Sequence, residues 1–181
     1  FLEKPSWGEV FSDTVNTGMY ILSPEVLKLV PKNEMFDFSK DLFPLILKER
    51  MPIYGYIIDD YWCDIGDPQA YIQSHIDILN GKVRINIPAK EIEKNIWVGE
   101  GTEIDDPSCL RAPCIIGSYS KIKKNSIIGE YSVIGDFNII GEGTSIKRSI
   151  IWNNAIIDEK VEIRGSIICN KVHFSPFSSA F

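Results

Sequence analysis

Few residues in this 181-residue chain have the types and spacing that chemistry needs. The four cysteines, Cys63, Cys109, Cys114 and Cys169, form no CxxC pair and lack the density of a secreted scaffold, so reduced thiols are expected rather than zinc sites or structural disulfides. The two histidines stand alone: His75 lies beside Ile76 in a helical pattern, and His173 follows the last regular repeat described below. Three short stretches remain. Phe1-Leu2-Glu3-Lys4-Pro5 sets a cation next to a carboxylate at the start of a loop. Asn16-Thr17-Gly18-Met19-Tyr20 puts a glycine inside a strand-like run, where it marks a bulge or a close backbone approach. Tyr61-Trp62-Cys63-Asp64-Ile65-Gly66-Asp67-Pro68 carries two carboxylates on one turn. Taken singly, each has an ordinary structural reading: a solvated ion pair, a bulge, and a helix entry capped by Asp67.

The elements that must position these stretches fall into two halves with different periods. Stepping by six from Val98 meets Ile104, Leu110, Ile116, Ile122, Ile128, Ile134, Ile140 and Ile146. Two positions before each, from Ile104 onward, stand Thr102, Ser108, Cys114, Ser120, Ser126, Ser132, Asn138 and Thr144, and glycine follows the aliphatic residue at 99, 117, 129, 135 and 141. The frame slips by one to Ile151, Ile157 and Ile163, and again to Ile168. A helix would repeat at 3.6 residues, so a period of six describes short flat faces and corners. Three such faces close a triangular coil, and stacked coils bury a column of aliphatic side chains. A left-handed parallel β-helix of hexapeptide repeats is therefore expected over 96–172. Its glycines would serve corners with unusual backbone angles, and its small residues would fit beside the neighbouring aliphatic knob.

Residues 1–82 obey no such period. Asn16 to Leu22 reads as a short buried strand, Ser23-Pro24 opens a helix over 25–30, and 39–50 forms a second helix that Pro44 kinks or shortens. A strand over 53–58 follows. Asp67-Pro68 then starts a third helix, with Tyr71, Ile72, Ile76 and Leu79 as its apolar stripe and Asn80-Gly81 as its end. Strands alternating with helices make an α/β layer, but there are too few strands for a closed doubly wound sheet, so this half is incomplete. Residues 83–95 are the expected connector. Residues 173–181, with Phe174, Phe177 and Phe181 among Ser and Pro, are expected to be a tail that fits neither the hexads nor a helix.

Composition excludes several classes. With 44% hydrophobic and 24% charged residues the chain is globular, and a formal charge of −6 argues against nucleic acid or an anionic membrane as partner. No apolar run approaches the ~18 residues of a membrane span, and the first residues are not a basic and then apolar leader, so a cytoplasmic protein is expected.

In their order, and followed by a hexapeptide solenoid, the three stretches resemble the sugar-phosphate nucleotidyltransferases, in particular the mannose-1-phosphate guanylyltransferase-like enzymes. The resemblance runs to about Val172. Through FDFSKDLFP, YWCDIGDPQAY and RSIIWNN it is similar to bacterial forms in which a phosphomannomutase- or phosphoglucomutase-like domain follows. It implies a Rossmann-like nucleotidyltransferase sheet for the first half, with nucleoside triphosphate and sugar 1-phosphate as substrates and Mg²⁺ as cofactor. It implies that Glu3 contacts sugar hydroxyls, Lys4 neutralises the sugar phosphate, Asn16 reaches the sugar with Gly18 allowing close approach, and Asp64 is a magnesium ligand. Joining two polyanions requires such cations, and a hard ion prefers a carboxylate to His or Cys. The family's Gly-rich nucleotide loop lies upstream of the EKP segment, and no Gly-x-Gly-Thr-Arg-like stretch occurs in these residues. The 181 residues alone are therefore expected to be inactive, and the solenoid is expected to mediate homo-oligomers. Alternatives are a glucose-1-phosphate adenylyl-, thymidylyl- or uridylyltransferase, or a regulatory subunit of the same shape. A hexapeptide acyltransferase is disfavoured because neither histidine projects from a coil loop.

Overall fold

The six-residue register becomes a parallel β-solenoid of about five coils in the computed structural model, which describes residues 14–181. Contacts divide the chain into two units, with the boundary between Trp62 and Cys63.

In the second unit the expected knobs point inward and stack in register. Ile116 pairs with Ile134, Ile122 with Ile140 and Ile128 with Ile146, each eighteen residues on. Ile134 pairs with Ile151 and Ile151 with Ile168, each seventeen on. The frame slips thus mark coils that are one residue shorter, with no break in the column. Ile116 through Ile163 are essentially inaccessible to solvent along this column.

Two features of the repeat have a different cause from the one expected. The glycines after the knobs are not in left-handed conformation. That conformation sits three residues before most knobs and is taken by Tyr119, Asn125, Tyr131, Phe137, Asn154 and Lys160 among others. The post-knob glycine is needed because the next coil is too close: a Cβ on Gly99 would lie 2.5 Å from the Ser118 amide nitrogen. The small residue before each knob does more than save space. Thr102 Oγ1 accepts from Ser120 N (3.1 Å), Ser120 Oγ from Asn138 N (3.0 Å), and Asn138 Oδ1 from Ala155 N (2.7 Å). This side-chain ladder satisfies buried corner amides that would otherwise be orphaned.

The solenoid extends further at both ends than the hexads alone indicated. Lys90–Glu93, in the expected connector, pairs antiparallel with Ile96–Val98. His173–Phe174 pairs with Ile156–Ile157 and Ser179–Ala180 with Glu162–Ile163, so the expected tail is the last part of a coil. Phe174 and Ala180 are its knobs, at six-residue steps from Ile168.

The first face of the solenoid carries an outer apolar column, one residue before each knob: Trp97, Ile115, Val133, Ile150 and Ile167. The second face is mixed at equivalent positions, with Glu103, Lys121, Ile139, Ile156 and His173, and both isoleucines are exposed. A helix covers the apolar face. Ile150 is only 3% exposed although it points outward, and the Pro68–Leu79 helix buries Leu79, Ser74 and Asp77. Trp152 Nε1 donates to Tyr71 Oη (3.1 Å) and Tyr131 Oη donates to Asn80 Oδ1 (3.2 Å), pinning both ends of this helix to the coils.

The first unit holds a short 3₁₀ helix, Val26–Leu29, and a π-helical turn, Phe38–Leu42, that runs into a helix over Phe43–Lys48. Asp37 Oδ1 caps the turn by accepting from Ser39 N and Lys40 N. Pro44 lies in the first turn of the Phe43–Lys48 helix, where its missing N–H costs nothing, so it starts this helix rather than kinking it. Leu42, Phe43 and Ile46 form the buried cluster. The strands expected at 16–22 and 53–58 are irregular segments, with Tyr54 and Tyr56 about nine-tenths exposed. Alternation makes a segment strand-like, but only a neighbouring strand makes it a strand, and none pairs with either segment among the described residues.

Truncating the buried knob in Ile140→Ala should cost about 2–5 kcal/mol, whereas Ile139→Ala, on the outer face, should cost under about 1 kcal/mol; urea midpoints test the contrast. Asn138 Nδ2 is buried without a partner among the described residues. Asn138→Thr keeps an acceptor for Ala155 N and removes that orphan, so its midpoint should be no lower than the parent's.

Candidate functional site

Asp67 and Asp64 stand on one turn and do different things. Asp67 Oδ1 accepts from Ala70 N at 2.7 Å with the backbone extended, and Pro68 follows at the first helical position, which makes Asp67 the helix N-cap. The Asp64 carboxylate is exposed and accepts no hydrogen bond among the described residues. Gly66 curls the turn beneath it, close enough that a Cβ there would sit 3.9 Å from both carboxylate oxygens. One acid caps the helix and the other is presented to solvent, four residues before the first residue of a helix pinned to the solenoid. Asp64 therefore belongs to the solenoid's unit.

Asn16 and Gly18 lie in the first unit. Asn16 Oδ1 accepts from Gly18 N (3.1 Å) and its Nδ2 donates to Tyr20 Oη (2.7 Å). Gly18 has φ of +75°, and nothing lies within 4 Å of where its Cβ would be, so glycine is favoured here by backbone conformation and not by crowding. Glu3 and Lys4 lie outside the described residues.

The remaining candidates are structural. His75 Nδ1 is 2.9 Å from the Tyr71 carbonyl, and its ring packs edge-on against Tyr71. His173 Nε2 pairs with Asp158 Oδ2 at 2.8 Å from a flat strand. Burial pushes the Cys114 thiol up to about 12 and raises that of Cys109, so neither is a thiolate at neutral pH. No group of three or more His, Cys, Asp or Glu able to hold a metal occurs among the described residues. No helix among them is long and apolar enough to cross a membrane.

The family description "Nucleotidyl transferase" matches residues 1–81, and "GMPPB C-terminal domain" matches residues 110–178. The chain belongs to the sugar-phosphate nucleotidyltransferases. A UTP–glucose-1-phosphate uridylyltransferase of Synechocystis sp. is 32% identical over 71% of this chain and 34% of its own length. A mannose-1-phosphate guanyltransferase of Pichia angusta is 31% identical over 93% of the chain and 42% of its own length. A glucose-1-phosphate adenylyltransferase of Acetivibrio thermocellus is 29% identical over 95% of the chain and 41% of its own length. The chain thus spans between a third and about two-fifths of these curated relatives.

Within this nucleotidyltransferase chain, the hexads alone do not reveal the clamp of Tyr71 and Asn80 on Trp152 and Tyr131. The one feature of the sequence that goes with it is an apolar residue beside every third knob without exception, from Trp97 to Ile167, whereas the other faces carry charged or polar residues at some of those positions. Asp67→Ala should lower stability by about 1 kcal/mol through loss of the cap, while Asp64→Asn should stay within about 0.5 kcal/mol of the parent; thermal or urea unfolding of both variants checks the division of labour.

Proposed function

We propose that this chain is the sugar-binding and metal-binding part of a sugar-1-phosphate nucleotidyltransferase, with mannose 1-phosphate and GTP as substrates. The observation that supports the proposal is the exposed Asp64 carboxylate, which accepts no hydrogen bond among the described residues, beside an Asp67 that caps the helix, on a turn within the part of the chain that matches the nucleotidyltransferases. In the reaction an oxygen of the sugar phosphate attacks the α-phosphorus, the bond to the β-phosphate breaks, and pyrophosphate leaves. Lys4 neutralises the sugar phosphate so that it can approach a second polyanion. Glu3 and Asn16 hold sugar hydroxyls, and the turn at Gly18 presents the Asn16 amide. Asp64 supplies a hard oxygen donor, which suits Mg²⁺ because that ion keeps most of its waters and takes one or two carboxylates. When bound, the ion neutralises phosphate charge. Residues 83–181 position the Asp64 turn and, through the exposed outer faces of the coils, join subunits of a homo-oligomer in the cytoplasm.

Mannose and guanine are favoured over the glucose and uracil or adenine named for other relatives because the second family description and several of the similar curated proteins are of the mannose type. The test is pyrophosphate release by a version extended upstream through the nucleotide loop, with mannose 1-phosphate or glucose 1-phosphate against each nucleoside triphosphate. Turnover is expected with mannose 1-phosphate and GTP, falling at least about 100-fold in Asp64→Asn and in Lys4→Ala, and none is expected from the 181 residues alone. A folded extended protein that is silent with every pair would instead identify a regulatory subunit.

A further inference from the structure

The corner that leads into the first face changes length along the solenoid. Between knob Ile128 and the ladder residue Ser132 it is Gly129-Glu130-Tyr131; one coil on it is Lys147-Arg148, and in the next Arg164-Gly165. Where the corner shortens lies a recess of about 190 Å³ lined by Glu130, Lys147, Arg148 and Arg164.

Three of those four side chains are cations, in a chain whose formal charge is −6. Their placement is built into the coils. Gly129 has no side chain, and the aliphatic stem of Lys147 lies in the space a Cβ would take. The Lys147 ammonium is 3.8 Å from Glu130. The Arg148 guanidinium stands 6.0 Å from the Tyr131 ring centroid, and Arg164 is directly beside Lys147 in parallel register. Neither Arg148 nor Arg164 forms an ion pair among the described residues. Glu130 offsets one cation and leaves two uncompensated, and like charges held on adjacent strands repel.

We propose that this recess binds a phosphate or diphosphate group. Two guanidinium forks match phosphate oxygens bidentately, and Lys147 adds a point charge. The volume sets the ligand's size, since drug-sized ligands occupy roughly 300–1,000 Å³. The recess takes a phosphate or diphosphate group, and a nucleoside or sugar attached to it would project into solvent. The site uses none of the residues assigned to the transfer reaction and does not depend on that assignment.

The experiment titrates the chain with inorganic phosphate, pyrophosphate and mannose 1-phosphate at low salt, read by calorimetry and by amide chemical shifts. Saturable binding is expected, with shifts centred on 147, 148 and 164. The Arg148→Ala/Arg164→Ala double variant should weaken it at least about tenfold, and Glu130→Gln should tighten it about two- to fivefold by removing the competing carboxylate. The shifts at 147, 148 and 164 should be unchanged in Lys4→Ala, whatever that substitution does to binding elsewhere, which separates this site from the substrate phosphate site. Tighter binding of pyrophosphate than of the other two identifies a diphosphate; equal binding identifies a single phosphate group. No saturable shifts at 147, 148 and 164, or shifts there that survive in the folded double variant or are lost in Lys4→Ala, overturn the proposal. Both arginines are solvent-facing, and the double variant's urea midpoint confirms that it is folded.

Discussion

Everything in the second unit depends on stacking identical coils about 4.8 Å apart, the spacing that strand-to-strand hydrogen bonds impose. At that distance each position of the repeat meets its own equivalent above and below, so a residue is tolerated only if a column of such residues is tolerated. Inward, the column is isoleucine, which fills space without polar atoms. At the corners it is mostly Ser, Thr or Asn, several of which accept from a buried corner amide of the next coil. After the knob it is often glycine, because backbone of one coil lies where a Cβ on the other would be.

That constraint reaches the candidate site through one helix. The first face is apolar on both sides, so it needs a cover, and the Pro68–Leu79 helix provides it. The cap of that helix, Asp67, and the free carboxylate, Asp64, share a turn, so the solenoid holds a chemically available group through the helix it buries. Hydrogen bonds from Trp152 and Tyr131 to Tyr71 and Asn80 restrain sliding along the face, which hydrophobic contact alone resists weakly.

The same stacking rule explains where irregularity is allowed. A coil can lose a residue only at a corner, since a deletion within a face would turn a knob outward. Both deletions fall at one corner, where the column changes from Gly129 to Lys147 and Arg164, and the change in length and the gathering of cations coincide.

The inner column, its period and its slips were legible in the sequence because in-register stacking writes itself into every sixth residue, and the cap at Asp67 was legible because capping is local. Phe174 and Ala180 continue the same step, but the Ser and Pro around them give that segment the composition of a loop. The motif residues Glu3, Lys4, Asn16, Gly18 and Asp64 could be named from their order along the chain, but not their surroundings. Only the tertiary structure decided that the glycines serve close approach, that the alternating segments at 16–22 and 53–58 have no partner among the described residues, and that one helix is pinned across the first face. The physical reason is common to all three: a period records what each residue does within its own repeat, whereas pairing, crowding and coverage depend on which distant segment arrives alongside.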